Sequence, residues 1–390
     1  MIPYGRHFLD ETDIAAVSEV LRGGFLTQGP KIADFEAAVA SYVGARYAVA
    51  VSSGTAGLHL ACLAADLGAG DGVATSPITF VASANCACYV GARPVFADVD
   101  PRTLNLSAES LEEVCRGQAN IKAIVPVHYA GLPCDMSAIR SVADARGAVI
   151  IEDAAHALGA SYPDGGKVGN CRNSLMTVFS FHPVKAIAAG EGGLITTNDA
   201  VTYKRLLRLR SHGINKGDDS MLHPDAAQED GEPNLWYYEM QELGFNYRIT
   251  DIQSALALSQ LSKLERFLAR RRELALRYDG ALGEIATLKP AQAVGRDLSA
   301  HHLYPVRVDY RANGLTRTRL MHRLREMGIV TQVHYIPVYE QPYYSNLGYK
   351  SGACPEAEAY YREALSLPLY YSLADSDQEK VVRALIELLK

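Results

Sequence analysis

The chain has 390 residues, 48% of them hydrophobic and 21% charged, which excludes a disordered segment, a fibrous repeat or a small disulfide scaffold. At about 150 residues per domain, that length predicts two domains or three. Lys and Arg number 38 against 44 Asp and Glu; the net charge of -6, with no basic stripe, argues against a nucleic-acid partner.

Along the chain, residues 47–51 form a short apolar, β-rich run. It stops at Ser52-Ser53-Gly54-Thr55, and residues 56–66 then read as a helix. Residues 94–99, 121–127 and 148–151 are further strand candidates, apolar enough for a parallel sheet covered on both faces. Residues 177–181 and 194–197 are predicted to pair antiparallel, giving an α/β fold with a mixed, mostly parallel sheet. Residues 215–235, rich in Asp, Gly and Pro, read as a long surface loop of the functional kind. Residues 249–282 are predicted as one linking helix. Residues 302–308, 315–327 and 329–333 follow as strand, helix and strand of a smaller α/β unit. The expected division is a large domain over 1–250 and a linking helix with a small domain over 251–390.

No apolar run reaches about 18 residues, so no membrane helix is expected. Residues 1–11 lack the basic and apolar regions of a secretory signal. Seven cysteines with no Cys-x-x-Cys spacing point to free thiols in a reducing cytoplasm, and no metal site is signalled. The glycine fingerprints of dinucleotide and nucleoside-triphosphate sites, the serine-hydrolase elbow and the zinc-protease motif are all missing.

Three segments carry chemistry. Asp153 follows an apolar strand, where open α/β sheets place ligands; it could equally cap the Ala-rich segment after it. Lys185 lies five residues after Ser180 and runs into the nearly uncharged stretch 186–194. A lysine desolvated there has a lowered pKa and can form a Schiff base with an aldehyde. Ser52-Ser53-Gly54-Thr55-Ala56 marks a strand-to-helix turn, which serves as an anion site or as an ordinary N-cap. An anion cradle, an acid for a pyridine nitrogen and a lysine for an aldehyde are together what pyridoxal 5'-phosphate requires.

With these residues the sequence resembles the DegT/DnrJ/EryC1-type aminotransferases of nucleotide-linked keto-sugars, a fold-type I pyridoxal-phosphate family. The likeness spans nearly the whole chain: residues 24–30, 53–55, 77–85, 152–159, 180–185 with 191–193, 244–253 and 332–337. It implies an aspartate-aminotransferase-like large domain and a smaller C-terminal one. It also implies that Lys185 anchors the cofactor, Asp153 pairs with its ring nitrogen, Phe80 stacks on the ring, and His156 lies beside it where Gln is usual. Gly54, Thr55 and Ser180 would hold the phosphate. Asn246 would reach the phosphate of a neighbouring subunit, making a homodimer with shared sites. Tyr4, Gly24, Phe25, Leu26 and Thr27, with Gln332, Val333, His334 and Tyr335, would line the sugar-nucleotide pocket.

The 180–185 segment, His156 and residues 332–335 resemble most the branch that forms UDP-4-amino-4,6-dideoxy-N-acetyl-β-L-altrosamine in pseudaminic acid biosynthesis. The implied reaction moves the amino group of L-glutamate to C4 of a UDP-linked 4-keto-6-deoxy-N-acetyl-hexose. Lys185 stands where dehydratase relatives carry His. Another nucleotide keto-sugar or a cyclitol ketone stays open as the acceptor, as does a non-catalytic regulator of the same fold. Without the resemblance, Asn246 and Arg248 read as a loop-to-helix junction, His334 and Tyr335 as a strand-end cap, and Gly190, Gly192 and Gly193 as a turn or a close approach.

Overall fold

A computed structural model of the chain describes residues 1–118, 120–216 and 221–389. Residues 217–220, inside the predicted 215–235 loop, and residue 390, the end of the predicted small domain, lie outside the described residues.

Helices α1 (Glu11–Arg22) and α2 (Pro30–Val43) lead into β1 (Tyr47–Val51) and α3 (Gly54–Ala64). Then come β2 (Gly72–Thr75), α4 (Ala82–Tyr89), β3 (Arg93–Phe96), α5 (Ala108–Gly117), β4 (Ile121–Val125), α6 (Met136–Arg146), β5 (Val149–Asp153), β6 (Met176–Ser180) and β7 (Gly193–Thr197). These seven strands form one sheet in the order β1-β7-β6-β5-β4-β2-β3. Only β7 runs antiparallel to its neighbours, and the predicted β6–β7 pairing runs from Met176↔Thr197 to Ser180↔Gly193. The sequence reading missed β2, because Gly-Val-Ala-Thr offers little β preference.

Both faces of the sheet are covered. Successive residues alternate between two apolar clusters: Ala50 and Phe179 pack in one, Val49 and Val178 in the other. Helix α3 lies so close that a Cβ on Gly57 would sit 2.8 Å from Val178 Cγ1. Edge strand β1 is blocked against further pairing. Ala50 N donates to Glu36 Oε1 at 2.8 Å, while the Arg210 guanidinium donates to Ala50 O at 2.8 Å.

Helix α7 (Ala200–Arg210) is followed by β8 (Ile214–Asn215), β9 (Gln228–Glu229), β10 (Glu232–Pro233) and β11 (Glu239–Met240). The β9–β10 ladder falls inside what the sequence predicted as loop, and the β8–β11 ladder closes around it.

The predicted helix 249–282 is two helices, α8 (Asp251–Leu261) and α9 (Leu264–Leu282). The break has local causes. Ser262 Oγ donates to Ser259 O at 2.7 Å, competing with the helical ladder, and Lys263 is drawn to Asp13 of α1 at 2.8 Å.

The C-terminal part contains β12 (Leu288–Pro290), β13 (Tyr304–Val308), α10 (Arg317–Glu326), α11 (Pro342–Asn346), α12 (Pro355–Glu363), β14 (Ala364–Leu367) and α13 (Asp375–Leu389). Strands β12, β13 and β14 form an antiparallel sheet. The strand predicted at 329–333 does not join it. That stretch makes only isolated bridges, Ile329 to Ile2 and Gln332 to Ser366, and Val333 N is diverted to Gln332 Oε1 at 2.9 Å. Ile2 thereby packs in the cluster of Leu274, Tyr304 and Leu365. Among the described residues no helix is long and apolar enough to cross a membrane.

Candidate active site

The β1–α3 turn and the carboxyl ends of β5 and β6 open onto one cavity of about 620 Å³. Strand β7 starts at this same end because it runs the other way. A Cβ on Gly193, its first residue, would lie 2.3 Å from Ser53 O and 2.6 Å from Gly54 N. Glycine there serves a backbone contact with the turn, not an approach to a flat ring.

At the turn, Ser53 caps α3: its Oγ accepts from Ala56 N at 3.1 Å. The Gly54 and Thr55 N–H groups have no partner within the helix. Gly54 faces Ser180 closely, with room for only 3.0 Å between an added Cβ and Ser180 Cβ. Cap and anion cradle therefore coexist here, with the Ser180 hydroxyl beside the helix N-terminus.

Asp153, 6% exposed, ends β5. Its Oδ2 accepts from Ser83 Oγ at 2.5 Å and its Oδ1 from Ala155 N at 3.1 Å. No helix follows, so it is not an N-cap. Ser83 escaped the sequence reading because no spacing rule links α4 to a strand end 70 residues on.

Lys185 reaches the same cavity from the turn after β6, where its N–H donates to His182 O at 2.8 Å. Lys185 is half-buried, with protein packed around it on the cavity wall. Burial lowers its pKa from 10.5 to about 8, and the Asp153 charge opposes the shift without cancelling it.

Three histidines gather nearby. His156 Nε2 lies 3.3 Å from the Tyr335 hydroxyl, and its ring centroid is 4.3 Å from that of His302. His334 Nδ1 lies 2.8 Å from Ser366 Oγ. Burial first, then the Lys185 and His334 charges, hold His156 far below its usual pKa. Burial and then His156 and Lys185 do the same to His302. His334 is lowered to about 3 by burial and then by Lys185. All three are neutral at pH 7. His302, which lines the cavity, was not singled out from the sequence; it stands before a strand with no motif around it.

The predicted pocket residues divide into two groups. Gly54, Thr55, Phe80, Asp153, His156, Ser180 and Lys185 all line the cavity. Tyr4, Gln332, Val333, His334 and Tyr335 line it as well. Burial raises the pKa of the Tyr4 and Tyr335 phenols. Gly24, Phe25, Leu26, Thr27 and Asn246 do not line it. Residues 24–27 lie against the start of α8: Thr27 bridges Thr250, and Asp251 N donates to Leu26 O at 3.0 Å. Phe25 and Leu26 are largely exposed. Phe245 and Tyr247 pack on His59 of α3, while Asn246 between them is exposed.

The residues present fit pyridoxal phosphate. A lysine amine and a carboxylate share one cavity with helix N–H groups, and His156 Nδ1 is buried there with no hydrogen-bond partner. Among the described residues no group of three or more His, Cys, Asp or Glu is placed to hold a metal.

Residues 7–386 match the DegT/DnrJ/EryC1/StrS aminotransferase family. The spore coat polysaccharide biosynthesis protein SpsC of Bacillus subtilis (strain 168) is 40% identical, over 100% of this chain and 97% of its own. Helicobacter pylori PseC, an aminotransferase involved in the biosynthesis of pseudoaminic acid, superposes with a TM-score of 0.89 at 31% identity. The match covers 100% of this chain and 99% of PseC. A putative sugar aminotransferase of Streptococcus pneumoniae, Spr1654 in its pyridoxamine-phosphate form, gives a TM-score of 0.89 at 29% identity over the same shares. The chain belongs to the DegT/DnrJ/EryC1/StrS family and is a fold-type I, pyridoxal-phosphate-dependent sugar aminotransferase.

Proposed function

We propose that the enzyme transfers the amino group of L-glutamate to C4 of a UDP-linked 4-keto-6-deoxy-N-acetyl-hexose, forming UDP-4-amino-4,6-dideoxy-N-acetyl-β-L-altrosamine. The observation that carries the chemistry is the Lys185 amine sharing a cavity with Asp153. The likeness to PseC supports the choice of sugar.

Bound pyridoxal phosphate supplies an electron sink for the carbanion that forms when the donor Cα loses its proton. Lys185 Nζ takes that proton in the first half-reaction and delivers one to the sugar C4 in the second. Only the neutral amine can accept a proton, and a pKa of about 8 keeps neutral amine available near physiological pH. Asp153, held by Ser83 and Ala155 N, would pair with the ring nitrogen and favour its protonated form. Neutral His156 would offer a hydrogen bond beside the ring without adding charge. Gly54, Thr55 and Ser180 would hold the phosphate, and Phe80 would cover a ring face. Tyr4 and residues 332–335 orient the sugar.

The same reading makes the enzyme a cytoplasmic homodimer. Its seven cysteines are free, as a reducing compartment keeps them. Phe25, Leu26, Leu222, Leu235, Trp236 and Met240 are exposed apolar side chains, suited to burial against a second copy. Asn246 and residues 24–27, which do not line the cavity of their own chain, would then complete the partner's cavity.

The test is to incubate cofactor-loaded enzyme with L-glutamate and the UDP-keto-sugar and to analyse products by mass spectrometry and NMR. The expected outcome is a C4 amine of the altro configuration, formed mole for mole with 2-oxoglutarate. Glutamate consumption only with another nucleotide keto-sugar or a cyclitol ketone would displace the proposed acceptor.

A further inference from the structure

The cavity wall at 332–335 hangs from a pair of tyrosines that never touch the cavity. Tyr129 OH lies 2.8 Å and Tyr360 OH 3.0 Å from the carbonyl oxygen of His334, and the two hydroxyls are 2.7 Å apart. Both side chains are fully buried. They come from opposite parts of the chain, the turn after β4 and helix α12.

Two hydroxyl protons serve three contacts. One hydroxyl donates to the carbonyl; the other donates to the carbonyl or to the first hydroxyl. Either tyrosine alone can therefore keep the carbonyl capped.

The turn that carries Tyr129 is itself fixed to the catalytic strand. His128 N donates to Asp153 O at 3.1 Å. Cys134 N donates to His128 Nδ1 at 3.0 Å, which requires that nitrogen to be unprotonated, so Nε2–H donates to Glu152 at 2.7 Å. Glu152 also accepts from Tyr162, from Ser174 at 2.5 Å and from Thr177 at 2.9 Å, so this buried carboxylate is fully partnered. At Gly131 an added Cβ would come within 3.0 Å of His156 O, His301 N and His302 N, so the turn has no slack.

A closed circuit results. It runs from Asp153 through His128 and Tyr129 to the His334 carbonyl, through Tyr335 OH to His156, and back along the chain to Asp153.

We propose that Tyr129 and Tyr360 are a redundant pair of positioning residues: together they hold the His334 carbonyl and so set where the sugar-facing wall stands relative to Asp153. This rests on the reading that the wall faces the acceptor sugar.

The test compares Tyr129→Phe, Tyr360→Phe and the double variant, all cofactor-loaded. Each single change leaves one hydroxyl on the carbonyl and shifts KM for the keto-sugar by no more than about twofold. The double change strips a buried acceptor and raises that KM about tenfold or more, beyond the product of the singles. Residues 331–336 then exchange amide hydrogens faster, while the half-reaction with L-glutamate stays within about twofold of wild type. Additive single effects, or a double variant with unchanged exchange at 331–336, overturn the proposal. So does a donor half-reaction and cofactor content that fall together with sugar affinity, because that marks a general packing role. A wild-type enzyme inert toward the UDP-keto-sugar would refute the assigned acceptor by itself, and the exchange data on the double variant would still decide the tyrosine pair.

Discussion

Asp153 and Asn246 stand for two differently built regions. At the strand-end floor the chemical groups are set by the chain itself: both Asp153 oxygens are hydrogen-bonded, and Ser53 caps the helix whose first N–H groups lie at the cavity. On the outer face, Asn246 is exposed, and Trp236 is 71% and Leu235 87% exposed. The floor is complete in one chain. The outer face has the composition of a surface that awaits another. Under the proposed homodimer, a site divided this way would confine chemistry to the monomer fold and make substrate closure a property of the assembly.

Changes on the floor should abolish turnover whatever the assembly does. Lys185→Ala is expected to lower kcat by more than about 10⁴-fold, since it removes both the proton carrier and the cofactor anchor; 2-oxoglutarate release measures it. Asp153→Asn should cost about 10²–10³-fold in kcat with cofactor still bound, checked by turnover against cofactor content. Changes on the outer face should act through association. Leu235→Glu with Trp236→Glu should weaken the dimer by roughly 2 kcal/mol or more, read by sedimentation, with specific activity falling on dilution.

A further expected effect is on pH dependence. In cofactor-free protein the Lys185 pKa is about 8, against 10.5 when unshifted, so between those values the unfolded chain binds more protons. Stability should therefore rise with pH across that window, and Lys185→Met should remove the rise in thermal unfolding scans. On the acid side, His334 titrates near 3 when folded and at 6.5 when unshifted. Its contribution is complete above 6.5 and lost as pH falls toward 3.

The same division explains what the sequence could reveal. Asp153, Ser180 and Lys185 were legible because the first two end apolar strands and the third lies in the turn after one, and strand ends are where open sheets gather ligands. Ser83, His302 and the Tyr129–Tyr360 pair were not, because each acts across a long sequence separation with no local signature. Asn246 was singled out only through resemblance; by itself it is an exposed residue between two packed aromatics. The single helix expected over 249–282 failed at Ser262-Lys263, where side-chain bonds to Ser259 and α1 outweigh an apolar pattern that continues unbroken. The strand expected at 329–333 failed because apolar character does not guarantee a pairing edge.

The most direct test of a divided site is complementation between two defective chains. Lys185→Ala and Asn246→Ala proteins are unfolded together in equal amounts, refolded with pyridoxal phosphate, and assayed for glutamate-dependent amination of the keto-sugar. Hybrid dimers would hold one site with an intact Lys185 and an intact Asn246, so activity should recover to about a quarter of wild type. A mixture no more active than the mean of the two parent proteins would show that each chain completes its own site.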